Sequence, residues 1–570
     1  MADESQPDCL DNPKPEQLTM PPPLRPLLAA ILVSLVFSSP SPADVKLPNL
    51  FSDHMLLQQS TAAPIWGWAE PGEAVRVAAT WGKDARTKTD QDGRWKVFLP
   101  TPAHGGPYQI KISGRNERTL DDVMIGEVWL CAGQSNLGWR LSATYHGKED
   151  GATANHPNLR IFRSERQHSP TPLDDCKATW TPCTPESAAT CSAVSFYFAR
   201  KVHSELKVPV GIIVQPYAGT PIEGWMPKEI QLDDTRTRSL LESMDGESAN
   251  YDPALAEAQL ARAMERWKNG ERRGKPVLRQ PSNTGHQYPG NIFHGMIHPI
   301  RPYAIRGAIW YQGERNAKDL AQAQNYQRQL TLLIDYYRRS WHHLSKGAVA
   351  RDFPFYFVQL PSWHPPQSSP VEDDAAWAVS REMMRRVGRT VPNTGMAVSI
   401  DTGDPVLLHP LDKRPIGLRL AYLALGKTYD KPFVATGPAY ESIRRRGSQL
   451  IVTFHPLPSG LVAARPGPLD SFAIAGTDRR FAWADATIEK NTVVLSAAGI
   501  SEPVAVRYAW AMNPSRRILL YNREGLPASP FRSDSWPLFD SSNYAPAPQA
   551  KPKSPDNYRP TPLVRPPVRQ

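Results

Sequence analysis

The sequence predicts an α/β protein whose mostly parallel sheet, with helices on both faces, lies between two β regions. Three observations predict it. Apolar strand-like runs alternate with helical patterns from 121 to about 430, which is how a parallel sheet with crossover helices reads. Short alternating segments with Gly- and Pro-rich punctuation lie on either side, at 44–120 and 431–540. Polar residues collect just after several of the central apolar runs, at the sheet edge where open α/β folds bind ligands.

At 570 residues the chain is long for one hydrophobic core. Apolar residues make up 40% and charged residues 21%, the balance of a globular protein. No apolar run reaches the length of a spanning helix, so stable membrane insertion is not expected.

The N-terminal 1–43 reads as a leader with a signal peptide. Arg25 gives a basic start after Met20, an alternative initiation site, and Leu27 to Phe37 is a short apolar segment. Ser41-Pro42-Ala43 then offers small residues for cleavage, which points to an exported, periplasmic or extracellular protein. Asp3, Glu4, Asp8, Asp11 and Glu16 against Lys14 and Arg25 give this leader a net charge of −3. Its removal raises the formal charge from +10 to +13. No basic run is interleaved with aromatics as in a nucleic-acid module, so no nucleic acid is expected as partner. Attraction to acidic glycans suits an exported protein of this charge equally well. At the other end, 541–570 is rich in Pro, Lys and Arg and reads as a disordered tail.

In the first β region, Ala74–Thr80, Trp95–Leu99 and Tyr108–Ser113 alternate as strands between turn signals such as Gln91-Asp92-Gly93-Arg94, the pattern of a small sandwich. The central region, 121–430, opens with the apolar run Val128–Ala132, which stops at Gly133 just before Ser135. An amphipathic helix over Ser192–Leu206 leads into a strand over Val208–Val214, ending at Tyr217-Ala218-Gly219-Thr220. A charged surface helix is expected over Pro253–Asn269. Strands follow at Ala304–Trp310, Phe353–Leu360 and Gly395–Ile400, and a helix over Lys413–Leu425. The second β region carries strands at Leu450–Phe454, Thr492–Ser496 and Val504–Tyr508. Cys131 reads as a packed thiol; Cys176, Cys183 and Cys191 lie close enough in sequence for one disulfide in an exported protein, with the pairing unspecified. None has the spacing of a zinc site.

Ser135 at the end of a buried strand is a candidate nucleophile, although Gly-Ser-Asn is also an ordinary turn. An ester hydrolase needs a hydroxyl nucleophile, a base for its proton and donors for the oxyanion. Among the 14 His, His409 in Leu407-Leu408-His409-Pro410 is the candidate base, because it follows the last central strand near Asp401 and Asp404.

The pieces Gly126–Asn136, Val208–Trp225, Gly295–Ala317 and Gly395–Leu425 together resemble the sialate O-acetylesterase family, a group of SGNH-type serine hydrolases. The resemblance extends to Phe51–Gln58 and to Gly525–Arg532. It implies an SGNH-like central domain and removal of O-acetyl groups from carbohydrates through an acyl-enzyme, with no metal or other cofactor. It also implies Ser135 as nucleophile and His409 as base. The oxyanion donors it implies are the N–H groups of Ser135 and Gly219 and the side-chain amide of Gln312. Gly219 also reads as a turn glycine, and Gln312 as a partner of neighbouring backbone. Glu314 is expected to support the 312–316 turn, with substrate contact as the alternative. Trp310 and Tyr311 read as core and rim, and Arg306 as a structural ion-pair partner.

Three positions depart from the family pattern. Ala218 stands in a Gly-Gly-Thr block, and Arg315 in a Gly-Glu-Ser-Asn block, where it either favours an acidic sugar or faces solvent. The acid usually found three residues before the histidine is Val406 here; of the nearby carboxylates Asp404 and Asp401, Asp404 is the expected orienting one, with a backbone carbonyl as the alternative. Two other functions stay open: acetyl-xylan deacetylation, and glycan binding by a degenerate, inactive site.

Overall fold

The computed structural model describes residues 44–371, 376–514 and 518–538. The leader 1–43 and the tail 541–570 therefore lie outside the described residues.

The strand Glu117–Gly133 is the spine of the molecule. Its first half pairs antiparallel with Gly105–Ser113 and parallel with Leu56–Gln58. Its second half enters the central sheet between Val210–Pro216 and Gly307–Tyr311, parallel to both. Phe355–Val358 and Thr394–Ala397 continue the sheet beyond Gly307–Tyr311, again in parallel. His156–Arg163 lies parallel to Val210–Pro216, and Trp180–Cys183 closes that edge antiparallel. The α/β class therefore holds, with a mixed sheet.

The apolar run Val128–Ala132 explains how this strand is buried on both faces. Val128, Leu130 and Ala132 pack with the helices Leu320–Leu344 and Ala376–Thr390. Trp129 and Cys131 point the other way and pack with Ala193–Leu206 and Arg414–Lys427. Alternation along the strand thus feeds two cores from five residues. The helix Ala193–Leu206 starts where Ser192 accepts a hydrogen bond from the Ser195 N–H at 3.1 Å, an ordinary N-cap.

The flanking regions are built from antiparallel pairs. Ala62–Trp68 pairs with Arg94–Pro100, and Ala74–Ala79 with Lys83–Lys88 and Gly105–Ser113. On the C-terminal side, Ala439–Arg446, Gln449–His455, Thr492–Ser496 and Asp485–Glu489 form one four-stranded sheet. Their core takes in Val398 and Ile400 and so anchors the loop that leads toward His409. Cys131, Cys176, Cys183 and Cys191 are all buried free thiols, so the disulfide considered for the last three is not formed. Among the described residues no helix is long and apolar enough to cross a membrane, and no cluster of His, Cys, Asp and Glu is built to hold a metal.

Candidate active site

The register of three strands creates the site. Gly133 lies opposite Pro216 on one side and Tyr311 on the other, so three strands end at one level. The chain crosses to opposite sides of the spine strand after it, which makes this the switch point of the sheet. The loops that follow carry Ser135, Gly219 and Gln312–Glu314 side by side. Backbone bonds hold them: Gln134 N–H donates to Tyr311 O and Tyr217 N–H to Gly133 O, both at 2.9 Å. Gly133 has φ +147°, and a Cβ there would lie 2.2 Å from the Tyr311 carbonyl oxygen, so only glycine fits.

Ser135 opens the short helix Ser135–Gly138, so its own N–H has no acceptor within that helix. Its Oγ lies 2.8 Å from His409 Nε2. For Nε2 to accept the Ser135 hydroxyl proton, the imidazole hydrogen must sit on Nδ1. His409 is pushed down to about 4 by burial first and by the nearby Lys413 ammonium second, so the ring is neutral near pH 7. The Trp139 indole stacks on it, with ring centroids 4.7 Å apart and planes 15° from parallel.

Asp404 is placed differently from the sequence expectation. Its Oδ1 accepts the N–H groups of Val406 and Leu407 at 2.8 and 2.7 Å, an Asx turn that shapes the loop running to His409. The hydrogen bond described for His409 is the one to Ser135, and the bonds described for the Asp404 side chain shape the loop that carries His409. Asp401 is engaged elsewhere, in a buried two-pronged pair with Arg419 at 2.6 and 2.7 Å.

Gly219 sits at φ +71° in an exposed turn, where its N–H can face a ligand. Thr220 Oγ1 holds this turn by donating to Tyr217 O and accepting from Trp225 Nε1, each at 2.9 Å. Gln312 corrects the expectation of a third donor. It is fully buried, and its amide nitrogen donates to Thr220 O and Asn316 Oδ1, both at 2.9 Å, while Tyr326 donates to its Oε1. Both amide hydrogens are occupied, so Gln312 braces the Gly219 and Glu314 loops and has none left for an oxyanion.

Glu314 is buried and accepts a hydrogen bond from Asn136 Nδ2, in keeping with a supporting role. Burial raises its carboxyl above the usual range. Arg315 is half-buried and donates to Gln287 Oε1 at 3.0 Å, so it is held over the 282–290 loop instead of pointing freely to solvent. Tyr311 is fully buried and belongs to the core, as Trp310 does, where a rim position was expected. Arg306 forms its structural pair with Glu127 at 2.6 and 3.0 Å.

Two residues at the site carry no mark in the sequence reading. Trp139 reaches His409 and Lys413 reaches Asn136 from distant parts of the chain. No local signal marks them, because a lone Trp or Lys is commonplace in a sequence.

An α/β fold with a serine and a neutral histidine in contact at the switch point defines a hydrolase of the serine-esterase type. The family described as carbohydrate esterase, sialic acid-specific acetylesterase matches residues 125–409. A carbohydrate acetylesterase from Xanthomonas citri is 32% identical, with a TM-score of 0.72 over 86% of this chain and 100% of that one. The mouse sialate O-acetylesterase is 29% identical over 85% of this chain and 94% of its own length. The human one is 27% identical, over 85% and 92%. The chain belongs to this carbohydrate esterase family and is a carboxylic ester hydrolase.

Proposed function

We propose that the crevice removes O-acetyl groups from sialic acid through an acyl-enzyme, with Ser135 as nucleophile and His409 as base and then acid. The observation that carries this reading is the 2.8 Å contact between Ser135 Oγ and His409 Nε2. Neutral His409 takes the hydroxyl proton as Oγ attacks the acetyl carbon, and returns it to the leaving sugar oxygen. Water then repeats the sequence on the acetyl-serine. The N–H groups of Ser135 and Gly219 are the donors for the oxyanion in this scheme.

The rim supports an acidic sugar. Tyr217, two residues before Gly219, stacks on His286 at 5.0 Å and donates or accepts a 2.9 Å bond with His168 Nδ1. Burial first, then His168, Arg166 and Arg315, hold His286 below its usual range, so two guanidinium groups face this rim. Acetylated xylan, which is neutral in its backbone, would not use them. The leader-like segment Leu27–Phe37 supports export to the periplasm or beyond, and the antiparallel flanks support two β-sandwich-like domains at 44–120 and 431–540.

Acetate release from O-acetylated sialic acids, beside acetylated xylo-oligosaccharides, tests the reading. Ser135→Ala should lower kcat by at least about 10³-fold. A glycan-binding protein without activity is favoured by one observation, the engagement of Asp404 with backbone. Stoichiometric labelling of Ser135 by a fluorophosphonate excludes that alternative, and absence of both labelling and acetate release excludes ours.

A further inference from the structure

We propose that Lys413, acting through Asn136 and Glu314, is the positioning residue that keeps nucleophile and base in register, where other serine hydrolases set a carboxylate behind the histidine. The inference rests on the Ser135–His409 reading and concerns how that pair is held.

The connections run through backbone neighbours of both reacting residues. Asn136 directly follows Ser135, and Leu408 directly precedes His409. Asn136 Nδ2 donates to Leu408 O at 3.3 Å and to Glu314 Oε1, so one buried amide ties the nucleophile turn, the base loop and the 312–316 loop together. Lys413 Nζ donates to Asn136 Oδ1. Burial lowers Lys413 to about 7 while Glu314 and Asp412 pull it upward, so up to about that pH it is an ammonium with donors only, which fixes which way the amide faces and turns Nδ2 toward its two acceptors. Without that cation the amide can flip, and a carbonyl oxygen would then meet Leu408 O and Glu314.

The placement of Lys413 opposes two local preferences. It is fully buried, and it stands at the N-cap of the helix Arg414–Lys427, the end that favours anions. Departures of this kind mark positions where local stability yields to a function of the whole fold. The groups facing Lys413 are Glu314, Asp412 and His409, with the Tyr311 ring 5.7 Å from Nζ. Those facing His409 are Lys413, Ser135 and Trp139. Glu314 Oε2 is buried with no hydrogen-bond partner among the described residues, and its carboxylate is favoured by Asn136, by its own backbone N–H and by the Lys413 ammonium.

The Lys413 charge reaches the imidazole, and that provides a readout which packing alone would not move. A cation beside His409 disfavours imidazolium, so replacing Lys413 by a neutral residue raises the pKa of the histidine. The full-length protein is compared with Lys413→Met and with Asn136→Asp, which keeps an acceptor for Lys413 but cannot donate to Leu408 O or Glu314. In Lys413→Met we expect kcat to fall at least about tenfold with KM within about twofold, and labelling of Ser135 by a fluorophosphonate to slow in proportion. The acid limb of its pH profile should move upward. Asn136→Asp should slow labelling and turnover as well, and it decides the matter if circular dichroism shows Lys413→Met unfolded. Wild-type kcat in either folded variant overturns the proposal, as does a fall in kcat for Lys413→Met with the acid limb unmoved. Failure of the wild type to label or release acetate overturns the parent reading instead.

Discussion

Trp139 lies flat against His409, 4.7 Å between ring centroids and 15° between planes, and so covers one face of the imidazole. Stacking restrains the ring about the axis that aims Nε2 at Ser135. Aromatic pairs of this kind contribute about 0.5–1.5 kcal/mol, so Trp139→Ala should lower kcat roughly threefold to tenfold. Trp139→Phe should recover most of it. Steady-state kinetics on the two variants checks this, and equal activity in Ala and wild type would mean that the stacking does not orient the base.

The pH dependence follows from the state of His409. Burial and the Lys413 ammonium push it down to about 4, so Nε2 keeps its lone pair well below neutrality. Protonation removes the base, hence kcat/KM should hold as pH falls through 6 and decline only on approach to about 4, with a slope of one proton. A pH–rate profile with its acid limb at 6 to 7 would show an imidazole with an ordinary environment.

Gly133→Ala tests the strand register that creates the site. The added Cβ would press on the Tyr311 carbonyl from 2.2 Å, and backbone on both sides must shift. A displacement of about 1 Å at the nucleophile costs about 10²-fold in rate, so kcat should fall by at least that much. Fluorophosphonate labelling reads the same displacement without a sugar substrate.

The Arg419–Asp401 pair should act on stability. Both side chains are buried, and Tyr521 also donates to Asp401 at 3.0 Å. Arg419→Met takes the guanidinium from a buried carboxylate, which should destabilise the protein by about 3–5 kcal/mol. Chemical denaturation measures this. Loss of kcat at full stability would instead give Asp401 a role at the active site.

The sequence was legible where chemistry is local. Val128–Ala132 is apolar enough to be a strand in any packing, and the structure places it at the centre of the sheet. The helix over Pro253–Asn269 and the strand over Thr492–Ser496 appear within a residue of expectation, because caps and turn residues bound them. Gln312 was misjudged because an amide looks the same in a sequence whether it faces a ligand or three protein groups. Its burial is decided by Thr220, Asn316 and Tyr326, which come from separate elements.

By itself the sequence determined the α/β class, the family, and the identity of the hydroxyl and imidazole that meet at the sheet edge. Those follow from strand periodicity and from motifs whose residues are neighbours in the chain. Only the tertiary structure decided that Asp404 serves its own loop, that Trp139 covers the base and that Lys413 reaches the residue beside the nucleophile. Each of these depends on hydrogen bonds or ring contacts between distant segments, where geometry of a few tenths of an ångström selects the partner, and spacing along the chain does not encode it.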